Sequence, residues 1–370
     1  MSNRRVHIIG AGLAGLSAAV HCRHLGADPL VYEAAPKAGG RVRRVGSHDN
    51  GTHLIIKGYQ HTFEYLNLIG AQGELQPLSP ASFQFYEPEK NLSWTIKAHH
   101  FLWEVAKGTI PQVALHNLFG RQAVQRFWEP FFISVFNTPL NEVPLKLLSQ
   151  TFKELLKQGP DALEPFFPKS TLENTLTLPA LKGLDIQFGK RLVGFDESSL
   201  FFKNDEIKIA QQDRIILALP LPAYQKVHSP LSISPIPSNP IVNIHFYLND
   251  AIEEIFFGLI GTKSHWVYAK EKHACVTISN HARISDIEEV WAETSPFLSQ
   301  KTSDMPKHRL ICEKMATPRQ NKAFSENRLT TKTKMENIFL AGDWIDTGLP
   351  ATIESAIKSG KLAAQMACSS

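Results

Sequence analysis

Six residues near the amino end, Gly10-Ala11-Gly12-Leu13-Ala14-Gly15, have the spacing that lets a chain hold a pyrophosphate without a charged side chain. Gly10 permits a tight turn, Gly12 lets the backbone approach the phosphates, and Gly15 lets the next helix lie close on its strand. The first-turn amides of that helix, with its positive end, then face the anion. Glu33, 18 positions after Gly15, is placed to accept hydrogen bonds from an adenosine ribose and would repel a 2′-phosphate. Leu13, Ala14 and Ala34 flank these positions and are expected to share the contact.

Gly39-Gly40-Arg41 follows, a flexible turn whose guanidinium can reach a second phosphate. The opposite end of the chain supplies a matching motif, Ala341-Gly342-Asp343-Trp344-Ile345-Asp346-Thr347-Gly348-Leu349-Pro350-Ala351-Thr352-Ile353-Glu354. A nicotinamide site is usually completed within one βαβ unit, whereas a flavin held by both ends needs a distant contact for ribityl and ring. The pairing therefore points to FAD. Asp343 is expected to bond a ribityl or phosphate-side hydroxyl. Pro350 suits the first turn of a helix over Ala351 to Ala364, whose amides would face the flavin's pyrimidine edge and favour negative charge on the reduced ring.

The elements that must position these residues are legible around them. Val6 to Ile9, a helix over Leu13 to Leu25 and Leu30 to Glu33 read as strand, helix and parallel strand. Ile207 to Ile209 suits a hairpin, Arg214 to Leu219 a buried strand, and Ile338 to Ala341 the last one. The expected fold is α/β: a Rossmann-like FAD-binding domain assembled from residues 1–60, 180–225 and 335–370. Residues 61–179 and 226–334 form an α+β substrate domain. The first insertion is helical and aromatic, with Phe101, Trp103, Phe119, Phe127, Trp128, Phe131, Phe132, Phe136, Phe152, Phe166 and Phe167. The second carries strand-like segments at Ile241 to Tyr247 and Trp266 to Tyr268.

Bulk properties narrow the function classes. At 370 residues the chain exceeds one typical core, and 43% hydrophobic residues can fill two. The net charge is only +4 and the basic residues form no stripe, which argues against nucleic acid. Cys22, Cys275, Cys312 and Cys368 lie far apart, as reduced thiols of a cytoplasmic protein do. His21, Cys22 and His24 lack ligand spacing, so no metal is expected. Arg4 and Arg5 precede an apolar run, but three glycines suit a strand-turn-helix better than a secretion signal. No apolar run reaches the roughly 18 residues that span a bilayer, so a soluble or peripheral protein is expected.

These motifs resemble the FAD-dependent amine oxidase and phytoene desaturase superfamily. Asn50-Gly51-Thr52-His53-Leu54, Phe127-Trp128-Glu129-Pro130, Asn137-Thr138-Pro139, Ser264-His265-Trp266-Val267 and the carboxyl-terminal motif further resemble its squalene-associated branch, the hydroxysqualene dehydroxylases. The resemblance implies FAD contacts at Gly10, Gly12, Gly15, Glu33, Gly40, Arg41, Gly342 and Asp343, and it puts the backbone of Leu192 at the adenine; Gly39 and Thr52, within these motifs, are further candidate cofactor contacts. Thr352 stands where amine oxidases commonly place an aromatic cage residue, which argues against amine oxidation.

The reaction implied is removal of a hydroxyl from hydroxysqualene, giving squalene for hopanoid synthesis with reduced FAD as electron source. Such chemistry needs an acid for the leaving oxygen, a dry apolar slot, and carbon held about 3 to 3.5 Å from the hydride source. Asp346 and His53 are the candidate acids; as alternatives, Asp346 bonds its own turn and His53 is structural. Trp128, Trp266 and Tyr268 are candidates for lining a tunnel, where their faces could favour a carbocation. A triterpene gains affinity from apolar burial at about 0.8 kcal/mol per methylene-sized unit, and the same preference keeps it in the bilayer. A peripheral encounter with the inner membrane face is therefore expected. No second nucleotide fingerprint names an electron donor. The rivals are a carotenoid desaturase running hydride toward the flavin, an amine oxidase, and a flavin-binding protein without turnover.

Overall fold

A computed structural model describes residues 5–98, 129–284 and 286–369 of the chain. The apolar run at the amino end gives β1 (Arg5–Ile9), and the glycine turn leads into α1 (Leu13–His24) and back to β2 (Asp28–Glu33). Next come α2 (Gln60–Leu68), the antiparallel pair β3 (Ser82–Glu87) and β4 (Leu92–Lys97), then α3 (Glu129–Phe136) and α4 (Leu145–Lys157). β5 (Asp185–Phe188) precedes a meander of β6 (Leu192–Phe195), β7 (Ser199–Phe202) and β8 (Asp205–Lys208), which ends before β9 (Arg214–Leu217). The second long segment gives β10 (Ser238–Leu259), β11 (Trp266–Ser279), α5 (Ile287–Thr294), β12 (His308–Pro318) and α6 (Lys322–Asn327). β13 (Ile338–Leu340) and α7 (Ile353–Ser369) close the chain.

Five of these strands form one parallel sheet in the order β5-β2-β1-β9-β13, so its members come from three separate stretches of sequence. Alternation along the strands sorts the side chains. Val6, Ile8, Val31, Ile216 and Phe339 pack on one face against α1 and α7. Ile9, Tyr32, Ile215, Leu217 and Leu340 pack on the other, against Leu192, Phe195, Leu200 and Phe202 of the meander. α1 is buried from Leu13 to Cys22, because sheet, α2 and α7 cover different sides of it. Its small residues make that possible.

The second sheet runs β11-β10-β3-β4, with β12 paired to the first half of β10. One face of β10, at Val242, Ile244 and Phe246, packs on Trp291 of α5. The alternate residues Asn243 and His245 are also buried and turn toward residues 50–53. Farther along, Phe256 and Trp266 join Phe83, Phe85, Phe131, Phe132 and Phe136 in an apolar cluster.

Two differences from the expected boundaries bear on the site. β9 ends at Leu217, two residues before the expected Leu219, as the chain turns toward Pro220. The last helix begins at Ile353 and not at Ala351, so Pro350 lies outside its first turn. Thr352 explains the later start: its carbonyl accepts from Ala356 N (3.0 Å) and its hydroxyl from Ser355 N (3.4 Å), making it the residue before the helix. Among the described residues, no helix is long and apolar enough to cross a membrane.

α1 and α7 approach to backbone contact. A Cβ at Gly360 would lie 2.2 Å from the Ala14 carbonyl oxygen and 2.8 Å from Ser17 Cβ, and Ser17 Oγ donates to the Ile357 carbonyl at 2.8 Å. Gly360→Ala is therefore expected to destabilise the fold by about 1 to 3 kcal/mol, as overpacking does. Urea unfolding checks this, and a midpoint equal to the parent's contradicts the packing described.

Candidate functional site

The glycine turn has the geometry that its spacing predicts. Gly10 has φ +103°, and a Cβ there would meet the Ala218 carbonyl oxygen at 2.7 Å. At Gly15 a Cβ would lie 1.8 Å from the Gly10 carbonyl oxygen, so strand and helix touch as backbone. Gly12 differs from both: among the described residues nothing lies within 4 Å of its Cβ position, and α1 starts there without a side-chain cap. The open face and uncapped amides form a cradle for an anion. Gly39 donates its amide to the Ala11 carbonyl at 2.8 Å and Gly40 packs against Gly12, so the two glycine turns are neighbours. Glu33 anchors the cradle, accepting from Ala11 N (2.7 Å) and Ala35 N (2.8 Å) through its two oxygens. A cleft of about 360 Å³ beside Ala34 is bordered by Gly189, Arg191 and Phe202, next to Leu192 at the start of β6.

The carboxyl-terminal motif reaches the same place. Asp343 Oδ1 accepts from Arg41 Nη2 at 2.7 Å across 302 positions of sequence, and Arg41 also donates to the Ala316 carbonyl (2.7 Å). Asp343 holds the Arg41 guanidinium above its ordinary pKa. The two residues expected to touch the cofactor thus also touch each other. Gly342, at φ +152°, gives its amide to Ser359 Oγ at 2.8 Å. Ala351 does not offer a free amide as expected, because Gln320 Oε1 accepts it at 2.8 Å. Gln320 also donates to the Phe136 carbonyl and takes Thr138 Oγ1 with its own amide, tying the Asn137-Thr138-Pro139 turn to the cofactor end. The sequence reading missed Gln320, since a lone buried amide carries no pattern. Glu354, buried and pushed upward in pKa by that burial, accepts from Thr62 Oγ1 (2.7 Å), Thr62 N (2.9 Å) and His61 N (2.9 Å) and anchors α2 to α7.

Residues 50–53 lie between this region and the second sheet. Gly51 stands so close to Asn243 that a Cβ would be 2.4 Å from its side-chain nitrogen. Thr52 Oγ1 is buried, with the Cys275 thiol beside it. His53 Nε2 meets Asn50 Oδ1 at 3.2 Å, and burial pushes its pKa down to about 4. His53 is therefore neutral at pH 7. Behind it His245 Nδ1 and His273 Nε2 are 2.9 Å apart, and His48 stacks on His273 with ring centres 3.5 Å apart. Burial lowers His245 to about 4 and His273 to about 3.

Asp346 sits in a different environment from His53. Its side chain is 49% exposed, Oδ1 accepts from Gly348 N at 3.1 Å, and Arg328 Nη1 is 3.8 Å away. That is turn chemistry, with no dry pocket around the carboxylate. Trp266 is 4% exposed and lies parallel to Phe256 at 4.8 Å, with Phe83 and Phe85 at its edges. Its indole nitrogen has no hydrogen-bond partner among the described residues. Tyr268 stacks on Phe167 at 4.4 Å and donates to Glu254 at 2.6 Å. Trp128 lies outside the described residues, as do Phe101, Trp103, Phe119 and Phe127. A cleft of about 1040 Å³ is bordered by Asp196, Leu231, Leu329, Lys332, Met335 and Leu340, none of them an expected site residue. His21 is satisfied by the Ser17 carbonyl at 2.7 Å.

Comparison with known proteins agrees with this geometry. Residues 8–68 match the NAD(P)-binding Rossmann-like domain and residues 312–368 the flavin containing amine oxidoreductases. Cyclohexylamine oxidase from Brevibacterium oxydans superposes with a TM-score of 0.72 at 14% identity, covering 99% of each chain. A putrescine oxidase gives 0.69 at 13% identity over 98% of each. These likenesses establish the fold, and with the two motif matches they define an FAD-dependent oxidoreductase. The hydroxysqualene dehydroxylase of Zymomonas mobilis is 33% identical over 98% of this chain and 99% of its own, and that of Sinorhizobium fredii 30% identical over 99% of both. The 15-cis-phytoene desaturase of Synechococcus elongatus is 20% identical over 98% of this chain and 95% of its own. The chain belongs to the hydroxysqualene dehydroxylase family. The open Gly12 face and the uncapped α1 fit its cofactor, FAD.

Histidines held below their ordinary pKa make stability depend on pH. The unfolded chain takes up protons first as pH falls through about 6.5, so stability drops toward pH 4 by up to about 1.4 kcal/mol per pH unit for each such group. His53, His245, His265 and His273 share that sign. Asp49, pushed up to about 7 by burial, opposes it. His273→Gln keeps a polar partner for His245 without the titration, so its urea midpoint should fall less between pH 6.5 and 4.5 than the parent's. An unchanged fall would refute the assignment.

Proposed function

We propose that the protein removes the hydroxyl of hydroxysqualene to give squalene, in the triterpenoid branch that leads to hopanoids. The observation that carries this reading is the apposition of two environments. A cofactor cradle built from both chain ends lies against residues 50–53, and behind these stands the buried face of β10 and β11, whose Trp266 and Tyr268 are proposed to line the substrate slot. Residues 61–179 and 226–334 are proposed as the substrate half. Reduced FAD, when bound, supplies the hydride.

The chain's residues do the rest. Gly10, Gly12 and the first turn of α1, with Leu13, Ala14 and Gly15, hold the pyrophosphate, and Glu33 and Ala34 meet the ribose. Gly39, Gly40 and Arg41 support the phosphates on the other side, Thr52, Gly342 and Asp343 bind toward the ribityl, and Leu192 meets the adenine through its backbone. Pro350 and Thr352 shape the approach to α7. Aromatic side chains exclude water, which raises the cost of any stray charge and the worth of a well-placed one. His53 is our choice of acid over Asp346, because it is partly buried and Asp346 is half in solvent. An imidazole with pKa about 4 works through its small protonated fraction. The rate should therefore rise about tenfold per pH unit as pH falls from 8 to 6. An apolar triterpene has no charge for the protein to grip, so we also propose that it is met at the inner face of the membrane by peripheral contact.

The direction of electron flow is the decisive test. Photoreduced enzyme mixed anaerobically with hydroxysqualene should regain the oxidised flavin spectrum and yield squalene by mass spectrometry. Oxidised enzyme bleached by phytoene, with no response of reduced enzyme to hydroxysqualene, would instead establish the desaturase reading that the 20% identity to a phytoene desaturase suggests. His53→Gln, loaded with FAD, should lose the rise in rate toward pH 6; a variant that keeps parental rate and profile removes His53 as the acid.

A further inference from the structure

Arg328 follows α6 and is nearly sealed in the protein, its side chain 3% exposed. The usual solution for a buried cation is a carboxylate in hydrogen-bond contact. Here the nearest one, Asp346, is 3.8 Å away and half in solvent. The guanidinium instead faces main chain. Nε donates to the Trp344 carbonyl (3.3 Å), Nη1 to that of Leu349 (2.9 Å), and Nη2 to those of Asp343 (3.4 Å) and Ile345. Phe324, fully buried, lies under the guanidinium with its ring centre 4.8 Å from Cζ. The next residue helps, since Leu329 accepts the Asp346 amide at 2.9 Å.

We propose that Arg328 is the positioning residue of the cofactor loop: by gathering four carbonyls between Asp343 and Leu349 it fixes where Asp343 meets FAD. The inference rests on the reading of Asp343 as a cofactor contact. Asp343 is pinned from two sides, its carbonyl on Arg328 and its carboxylate on Arg41. Only a planar fork with five N–H donors can serve four carbonyls that converge from different residues. A lysine ammonium has three donors on one atom and would leave some of them unpaired. A turn containing Thr347 and Gly348 has little regular hydrogen bonding of its own, so its shape comes from the side chain it wraps. The charge would have a second consequence: a fixed cation behind the loop would favour negative charge on a bound, reduced flavin. Burial lowers the guanidinium pKa only to about 10, so that cation persists at neutral pH.

Arg328→Met and Arg328→Lys, with Asp343→Asn beside them, test the proposal through FAD titration of the apoproteins and flavin midpoint potentials. We expect Met to weaken FAD binding about 10- to 100-fold, the cost of unpaired carbonyls, and to lower the potential. Lys should recover part of the affinity and the parental potential. Parental affinity and potential in the Met variant overturn the proposal. Equal weakening by Met and Lys with the potential unmoved also does, because it reduces Arg328 to packing. Should the Met variant not fold, Lys alone decides: intermediate affinity supports the role and parental affinity refutes it. Weakening by Arg328 variants with parental binding in Asp343→Asn would end the Asp343 contact while leaving the loop role intact. The reverse pattern would end the role of Arg328.

Discussion

The closeness of α1 to α7 is the constraint on which the molecule depends. Two helices from opposite ends of the chain can share one face of the parallel sheet at backbone distance only because Gly360 meets the Ala14 carbonyl and Ser17 bonds Ile357. That contact sets the positions of everything that leads into the helices. The Gly10 to Gly15 turn enters α1 and the Gly342 to Thr352 loop enters α7, so their relative placement follows from helix packing. Arg41 and Asp343 then complete the junction from the solvent side. Long separation in sequence makes such a contact costly to form, and the small residues at the crossing let many apolar neighbours contribute to offset it.

Burial shapes the chemistry of the same region. The glycine turns leave backbone amides open where an anion can approach, while residues 50–53 and the buried face of β10 and β11 are dry enough to hold four histidines below their ordinary pKa. A histidine in such surroundings rests neutral, and its protonated form, scarce at neutral pH, is a stronger acid than an ordinary imidazolium. Fixed positive charge is placed elsewhere, on Arg41 at the rim and Arg328 behind the loop.

Much of the cofactor half could be read from the chain because its signals are local. Glycine spacing, a β-branched run and an acid at the end of the second strand specify β1, α1 and β2 within a residue or two. The start of α7 was displaced from the expected Ala351 to Ile353 since Thr352 acts as its cap, and the Ala351 amide was assigned to flavin while Gln320 takes it. Gln320 and Arg328 were invisible for one reason: each works through carbonyls and amides brought together only by tertiary structure, so neither leaves a pattern of residue types. Trp266 shows the converse limit. Its motif is plain in sequence, but its place against the face of Phe256 and the edges of Phe83 and Phe85 could not be inferred from spacing.

Hydrogen exchange during a titration of apoprotein with FAD tests most directly whether both ends of the chain hold one flavin. Amides of residues 10–16 and of residues 342–349 should gain protection together, with a common midpoint equal to the recovery of flavin absorbance. Protection confined to residues 10–16, with the carboxyl-terminal loop exchanging as in the apoprotein, would contradict the account.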